Sequence, residues 1–155
     1  MSRFVTVGET MVALVPKEQG LLRYGPDFSM RIAGAESNTA IGLSRLGHTS
    51  SFITRIGNDG FGDFLIRMVR AEGVDTSGIT VDKDHRTGVM FKEIRSNMET
   101  AVHYYRDNSA ASCLCTGDVD EAVIQKADMV HLTGITPVLS KNCRQMVYDV
   151  MDMAV

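Results

Sequence analysis

Four polar side chains, Glu36, Ser37, Asn38 and Thr39, follow the small-residue turn Ala33-Gly34-Ala35 in "RIAGAESNTAIGLSRLG", residues 31 to 47. A small-residue turn before a helix leaves backbone N–H groups free and lets a ligand approach the main chain closely. Asn38 offers donors and an acceptor, which suits the hydroxyl groups of a polyol. The competing reading of the same residues is structural: Ser37 or Asn38 caps the helix and Gly34 makes the turn. A plain nucleotide cradle is disfavoured. The pattern G-x-x-x-x-G-K-[ST] is absent, and Gly34, Gly42 and Gly47 do not fit G-x-G-x-x-G after a strand.

Other groups have chemical potential but weaker spacing. Asp59 in "GNDGFG" has the chemistry of a metal ligand or a base, yet its place before an apolar periodic segment marks it as a helix cap. Glu9 follows the first strand and is placed to touch a ligand. His131 lies in an apolar strand and reads as a satisfied core histidine or one that supports a site residue rather than a catalyst, while His48, His85 and His103 show no ligand spacing with one another. Cys113 and Cys115 form Cys-x-Cys and Cys143 stands alone, without the second ligand pair of a structural zinc site. Reduced thiols and no metal centre are expected.

The elements that must position these residues alternate. "RFVTV" reads as a buried strand ending at Gly8, and "SSFITRIG" as another ending at Gly57. Phe61, Phe64, Leu65, Met68 and Val69 repeat at i, i+3, i+4, i+7 and i+8, with Gly73 at the C-terminal stop, which predicts a helix from about 60 to 72. "TGVMFKEIR" and "TAVHYYR", separated by the polar "SNME", predict a hairpin. A short helix from about Val119 to Ala127 and a strand "MVHLTG" follow. The last helix is opened by Ser140 and faced by Cys143, Met146, Val147, Val150 and Met151. Alternating strands and helices imply an α/β fold with a parallel sheet. No Gly, Asn or Pro stops the last helix, so the chain reads as the first part of a longer protein. On that reading the face of Met146, Val147 and Val150 is left exposed and drives self-association.

Composition narrows the function. With 155 residues, 44% hydrophobic and 23% charged, the chain can build one domain with a core. Its net charge of −3 lacks the Lys/Arg surplus that phosphate backbones require, so no nucleic-acid partner is expected. No apolar run is long enough to cross a bilayer, and "MSRFVTVGET" lacks the features of a signal peptide. A cytoplasmic protein without a membrane partner is expected. The methionines, set at helical spacing beside Val and Leu, read as core residues.

"AGAESNTAIGLSRLG" followed by "RIGNDGFGDFL" resembles the N-terminal signature of the ribokinase-like (PfkB) carbohydrate kinases, with Asn38, Ala40, Gly47, Gly57, Asp59 and Gly62 in the matching places. "VGETMVALVP", "YYRDNSAAS" and "HLTGITPVLS" resemble one branch, the 2-keto-3-deoxygluconate kinases. The resemblance implies a ribokinase-like parallel sheet flanked by helices, with a small β-sheet lid from segments near 11–32 and 87–106. It makes residues 1–155 the N-terminal part of one kinase domain. It implies sugar contacts at Gly34, Ala35, Asn38, Met90, Tyr104 and Arg106, with Tyr104 and Arg106 holding a sugar acid from the lid. Met90 stands where relatives often carry Tyr. Without the resemblance, Arg106 would read as a solvated strand charge.

The implied reaction is transfer of the ATP γ-phosphoryl group, with Mg2+, to a sugar hydroxyl, and the implied partner is a small sugar or sugar acid. A homo-oligomer through the lid is a further implication. The family's catalytic base ends a D-T-x-G-A-G-D motif, which does not occur in these residues. No catalytic residue is therefore expected here, most of the ATP site is expected elsewhere, and the chain alone is expected to be inactive. The alternatives are a neutral-sugar kinase of fructokinase or ribokinase type, or a non-catalytic carbohydrate-binding fragment.

Overall fold

The structure, a computed structural model, describes residues 2–95 and 99–155. Its strands are β1 Arg3–Val7, β2 Met11–Pro16, β3 Phe28–Ala33, β4 Thr49–Gly57, β5 Ile79–Asp82, β6 Val89–Ile94, β7 Thr100–Tyr105 and β8 Met129–His131. Its helices are α1 Ala35–Arg45, α2 Gly60–Ala71, α3 Glu121–Gln125, α4 Thr136–Leu139 and α5 Lys141–Met153. The strands form two sheets, ordered β5-β4-β1-β8 and β3-β2-β6-β7. Every pairing in the first sheet is parallel, as the alternation of elements predicts. In the second, β2 pairs antiparallel with β3 and parallel with β6, and β6 pairs antiparallel with β7.

The parallel sheet is covered on both faces, as the crossover rule requires. On one face Val5, Val7 and Ile53 pack with Leu114, Ile124 and the α5 residues Cys143, Met146, Val147 and Val150. On the other, Phe52 packs with Ala40 of α1 and Val69 of α2. The side-chain alternation of a strand sends the adjacent Phe52 and Ile53 to opposite layers. The α5 face expected to be exposed is therefore buried, with Met146 and Val150 at 0% exposure. It meets β1 and β4, so the self-association argued from that face has no basis.

Methionines divide between core and surface. Met11, Met90 and Met146 are buried, whereas Met30, Met68, Met129 and Met151 are exposed, so helical spacing alone overstates their part in the core. The strand expected over 129–134 stops at His131, because Thr133 and Thr136 turn from the ladder toward α1. The β5 strand carries no clear mark in the sequence, being four residues long at the sheet edge with Val81 exposed. The "SNME" turn between β6 and β7 falls at 96–99, and residues 96–98 lie outside the described residues.

The second sheet docks on the first through α2. Val12 packs with Ile56 and Leu65, and Leu14 and Val89 join them at the edge of the cluster. Asp59 clamps this junction. Its Oδ1 accepts the N–H groups of Phe61 (3.1 Å) and Gly62 (2.9 Å), capping α2 as its sequence position predicts, and its Oδ2 accepts the N–H of Thr87 (2.9 Å). Burial alone would push the Asp59 carboxyl up, but the N–H donors of Thr87, Gly62 and Phe61 outweigh it and hold it below the usual carboxylate range.

Asp59→Ala should cost about 2 kcal/mol of stability in urea denaturation, because it removes the cap and the tie to Thr87 together. Asp59→Asn, which keeps an acceptor oxygen, should cost less. A carboxyl depressed in the folded state contributes stability above its unfolded value and loses it as pH falls through the folded one. The difference between wild type and Asp59→Ala should therefore shrink in acid below the ordinary carboxylate range.

Candidate functional site

Strands β4 and β8 flank β1 on opposite sides, so the chain segments leaving β1 and β8 diverge at the carboxyl ends of these strands. In open parallel sheets this divergence forms the crevice where ligands bind. Residues 8–10 leave β1 here, residues 132–135 leave β8, and the N-terminus of α1 points at the same place.

Backbone geometry explains the small residues. Gly34 is the N-cap of α1, with φ +148°, and no side chain caps the helix. The competing reading, in which Ser37 or Asn38 caps the helix, is corrected as to the cap. Ser37 sits inside the first turn and donates to the Gly34 carbonyl at 3.1 Å, and Asn38 lies one residue further on. A Cβ at Gly34 would come within 2.5 Å of the Glu9 carbonyl oxygen and 3.1 Å of Thr10 Cα. Gly34 therefore lets the start of α1 press against the chain leaving β1.

The four polar residues of the first turn do different things. Glu36 is 1% exposed and accepts from Thr133 Oγ1 at 2.5 Å and Thr136 Oγ1 at 2.7 Å, with the positive end of the α1 dipole around it. Gly8 makes room for this carboxylate, since a Cβ there would approach its Cδ to 2.4 Å. Ser37 is fully buried beside Thr10. Thr39 lies 3.4 Å from His131 Nε2, so His131 is a supporting neighbour of α1. Asn38 and Ala35 are exposed. Sequence reasoning named Glu36 as polar but missed its burial; a carboxylate in a run of polar residues, with its threonine partners far downstream, carries no local signal.

The second sheet contributes from across the crevice. Ala13, Met90 and Tyr104 stand opposite one another on adjacent strands, and Met11 is opposite Ala33. Met11, Ala13, Ala33 and Met90 form an apolar patch on the face turned away from α2. Arg106, just after β7, places its guanidinium carbon 4.7 Å from the centre of the Tyr104 ring. Its Nη1 donates to Glu9 Oε2 at 2.7 Å. The Arg106 side chain is 27% exposed and that of Glu9 only 3%, so the pair runs from the protein interior to the surface.

The structure thus links Met90, Tyr104, Arg106, Glu9 and Gly34 in one chain of contacts. Among the described residues no hydrogen bond ties the Asn38 side chain to this group. Arg106 also borders a depression of about 660 Å³ with Asn108, Ser112, Ser140 and Lys141, and Tyr104 borders a broader groove of about 1500 Å³ with Met30, Phe61 and Tyr105.

Asp82, His85 and Cys113 bring three potential ligand atoms within 4.8 Å of one another. The carboxylate is already engaged: Oδ1 accepts the N–H groups of Asp84 and His85, and Oδ2 faces His85 Nδ1 at 3.1 Å and Arg55 Nη1 at 3.5 Å. A guanidinium at that distance opposes a divalent cation. The cluster reads as a lock on the loop after β5.

The model of the pfkB family carbohydrate kinases matches residues 1–154. The chain is 40% identical over 149 residues to a 2-dehydro-3-deoxygluconokinase of Bacillus subtilis (strain 168), covering 96% of this chain and 46% of that protein. It is 36% identical over 141 residues to probable fructokinase-7 of Arabidopsis thaliana, covering 90% and 41%. Among solved structures, a PfkB protein from Polaromonas sp. JS666 superposes with a TM-score of 0.93 at 37% identity, covering 99% of this chain and 52% of that one. An uncharacterised sugar kinase of Pyrococcus horikoshii in complex with ATP gives 0.86 at 30% identity, covering 96% and 48%. The chain spans about half the length of the curated relatives it matches. No helix among the described residues is long and apolar enough to cross a membrane.

Gly34→Ala should lower stability by roughly 1–3 kcal/mol, because the added Cβ meets backbone atoms at a positive φ. Gly42→Ala, where the helix leaves open space, should stabilise by about 0.5–1 kcal/mol. Thermal denaturation of the two variants side by side checks the contrast.

Proposed function

The chain belongs to the pfkB family of carbohydrate kinases, and from that premise we propose that the protein containing it is a cytoplasmic enzyme that phosphorylates a sugar acid. Its substrate is 2-keto-3-deoxygluconate or a close analogue, and ATP is the phosphoryl donor. The observation that carries this reading is Arg106, a guanidinium stacked on Tyr104 and held by Glu9, with part of its side chain exposed. A planar guanidinium fixed on an aromatic face suits an ionised carboxylate, which it meets with parallel N–H groups.

The remaining residues take complementary roles. Gly34 and Ala35 form a bare wall that allows hydroxyl groups close to the backbone, Asn38 supplies donors and an acceptor, and Tyr104 and Met90 cover the sugar from the second sheet, which acts as the lid. These groups bind and orient the sugar so that one hydroxyl faces the donor. The base that takes the hydroxyl proton is assigned to residues outside 1–155. The buried carboxylates beside the crevice do not suit Mg2+, since Glu9 is engaged by Arg106 and Glu36 by Thr133 and Thr136 rather than forming an open oxygen cage. The ion is therefore not held by these residues.

Association through the lid sheet is part of the same reading, supported by the exposed Met30 and Tyr105 beside the edge-to-face Phe28–Phe91–Tyr105 ring cluster. A neutral-sugar kinase is the second reading. It is favoured by Met90, which offers no phenol for a hydrogen bond, and by the similarity to a fructokinase.

Two substitutions in the full-length protein test the assignment. Arg106→Lys keeps a positive charge beside the buried Glu9 but loses the fork of N–H groups. It should lower kcat/KM for 2-keto-3-deoxygluconate by about one to two powers of ten and change that for fructose little. Equal losses on both sugars would make Arg106 an organiser of the lid. Asn38→Ala should raise KM for the sugar roughly tenfold and leave KM for ATP and the melting temperature nearly unchanged, because Gly34, not Asn38, caps α1. A lower melting temperature with unaltered kinetics would contradict this role.

A further inference from the structure

Glu9 is 2% exposed, and its two carboxylate oxygens have different surroundings. Oε2 accepts from Arg106 Nη1 at 2.7 Å, whereas Oε1 is buried and has no hydrogen-bond partner among the described residues. Among the described residues, the charged and titratable groups that act on Glu9 come from three places. Arg106 follows β7 and attracts its charge, the Glu36 carboxylate on α1 opposes it, and the Cys143 thiol on α5, which burial pushes up, stays neutral near pH 7. Arg106 is the cation that compensates a carboxylate with one bare oxygen.

An anionic sugar seated on Arg106 asks the same guanidinium to serve two carboxylates. A second negative charge a few ångströms from Glu9 weakens the field that keeps Glu9 ionised, and the unpartnered Oε1 has no other donor to compensate it. Leaving a neutral O–H buried costs far less than leaving an anion there. Resting on the sugar-acid reading above, we propose that Glu9 sets the charge specificity of this site, by holding Arg106 while the site has no anion and taking one proton from solvent onto Oε1 when an anionic sugar engages Arg106. The charges balance: a Glu9 carboxylate and Arg106 guanidinium become a Glu9 carboxylic acid, the same guanidinium and the substrate carboxylate. No other bond forms or breaks. A neutral sugar leaves the ion pair intact and takes up no proton.

The direction of the pH dependence follows. Burial pushes the Glu9 carboxyl above its ordinary value, and Arg106 only partly offsets this. A bound anion pushes it further in the same direction. Between these two values the free protein is ionised at Glu9 and the complex is protonated. Affinity for the sugar acid therefore rises as pH falls through that window, by up to about tenfold per pH unit for one proton. The carboxylate of the sugar acid titrates lower and stays ionised throughout.

The test is calorimetric titration of the full-length protein with 2-keto-3-deoxygluconate and with fructose. It is run in buffers of different ionisation enthalpy from about pH 5 to pH 8, on the wild type and Glu9→Gln. The expected wild-type result is uptake of up to about one proton per sugar acid bound, none for fructose, and an affinity for the acid that strengthens as pH falls. Glu9→Gln keeps an acceptor for Arg106 but cannot titrate, so uptake should vanish and the pH dependence flatten. Sugar-acid binding without proton exchange in the wild type would overturn the proposal alone, and this arm needs no variant to fold. Uptake that persists in Glu9→Gln would also overturn it. If the wild type binds fructose but not the sugar acid, the substrate reading falls and this proposal falls with it.

Discussion

The buried carboxylate of Glu36 is the contact on which the crevice depends. It lies at the start of α1, yet its hydrogen bonds go to Thr133 and Thr136 beyond β8, across the end of β1. A carboxylate removed from water needs donors, and the two hydroxyls together with the N-terminal end of the α1 dipole supply them. This requirement has geometric consequences. Gly8 must lack a Cβ, since one would overlap Glu36, and β8 must stop early so that the threonines can turn toward the helix. The end of β1, the start of α1 and the segment after β8 thereby form one rigid wall.

The opposite wall belongs to the second sheet, and it is attached in two places of different character. At the α2 seam the attachment is apolar and clamped by Asp59: Val12, Ile56 and Leu65 exclude water, and the carboxylate joins the α2 N-terminus to Thr87. At the crevice the attachment is ionic, through Glu9 and Arg106. A buried ion pair of this kind contributes little net stability, because desolvation offsets the attraction, but removing one partner leaves a costly charge behind. Its value lies in orientation. Arg106 is constrained by Glu9 on one side and the Tyr104 ring on the other, so its guanidinium is held in one orientation.

Local order was legible in the sequence wherever its cause is local. The α2 repeat, the Asp59 cap and the Gly73 stop depend on residues within a few positions of one another, and Gly73 takes the left-handed conformation its place suggests. The parallel order of β1, β4 and β8 followed from strands alternating with helices. The small-residue turn marked the start of α1 as well, although its cap is backbone geometry at Gly34 rather than a side chain.

By itself, then, the sequence determined the α/β architecture, the main helices, and the family signature that names the candidate residues. Tertiary structure alone decided which of those residues meet. Glu9 and Arg106 are 97 positions apart, as are Glu36 and Thr133, and Glu36 and Thr136 are 100 apart. Each of these contacts is created by a crossover that brings distant segments to the same end of a sheet. The side chains involved are polar and carry no period of their own, so hydrophobic patterning does not reveal them. Burial also decides their role: Glu9 and Glu36, whose depth no local pattern gives, become the anions around which the crevice is built, because water that would solvate them has been excluded by the packed sheets.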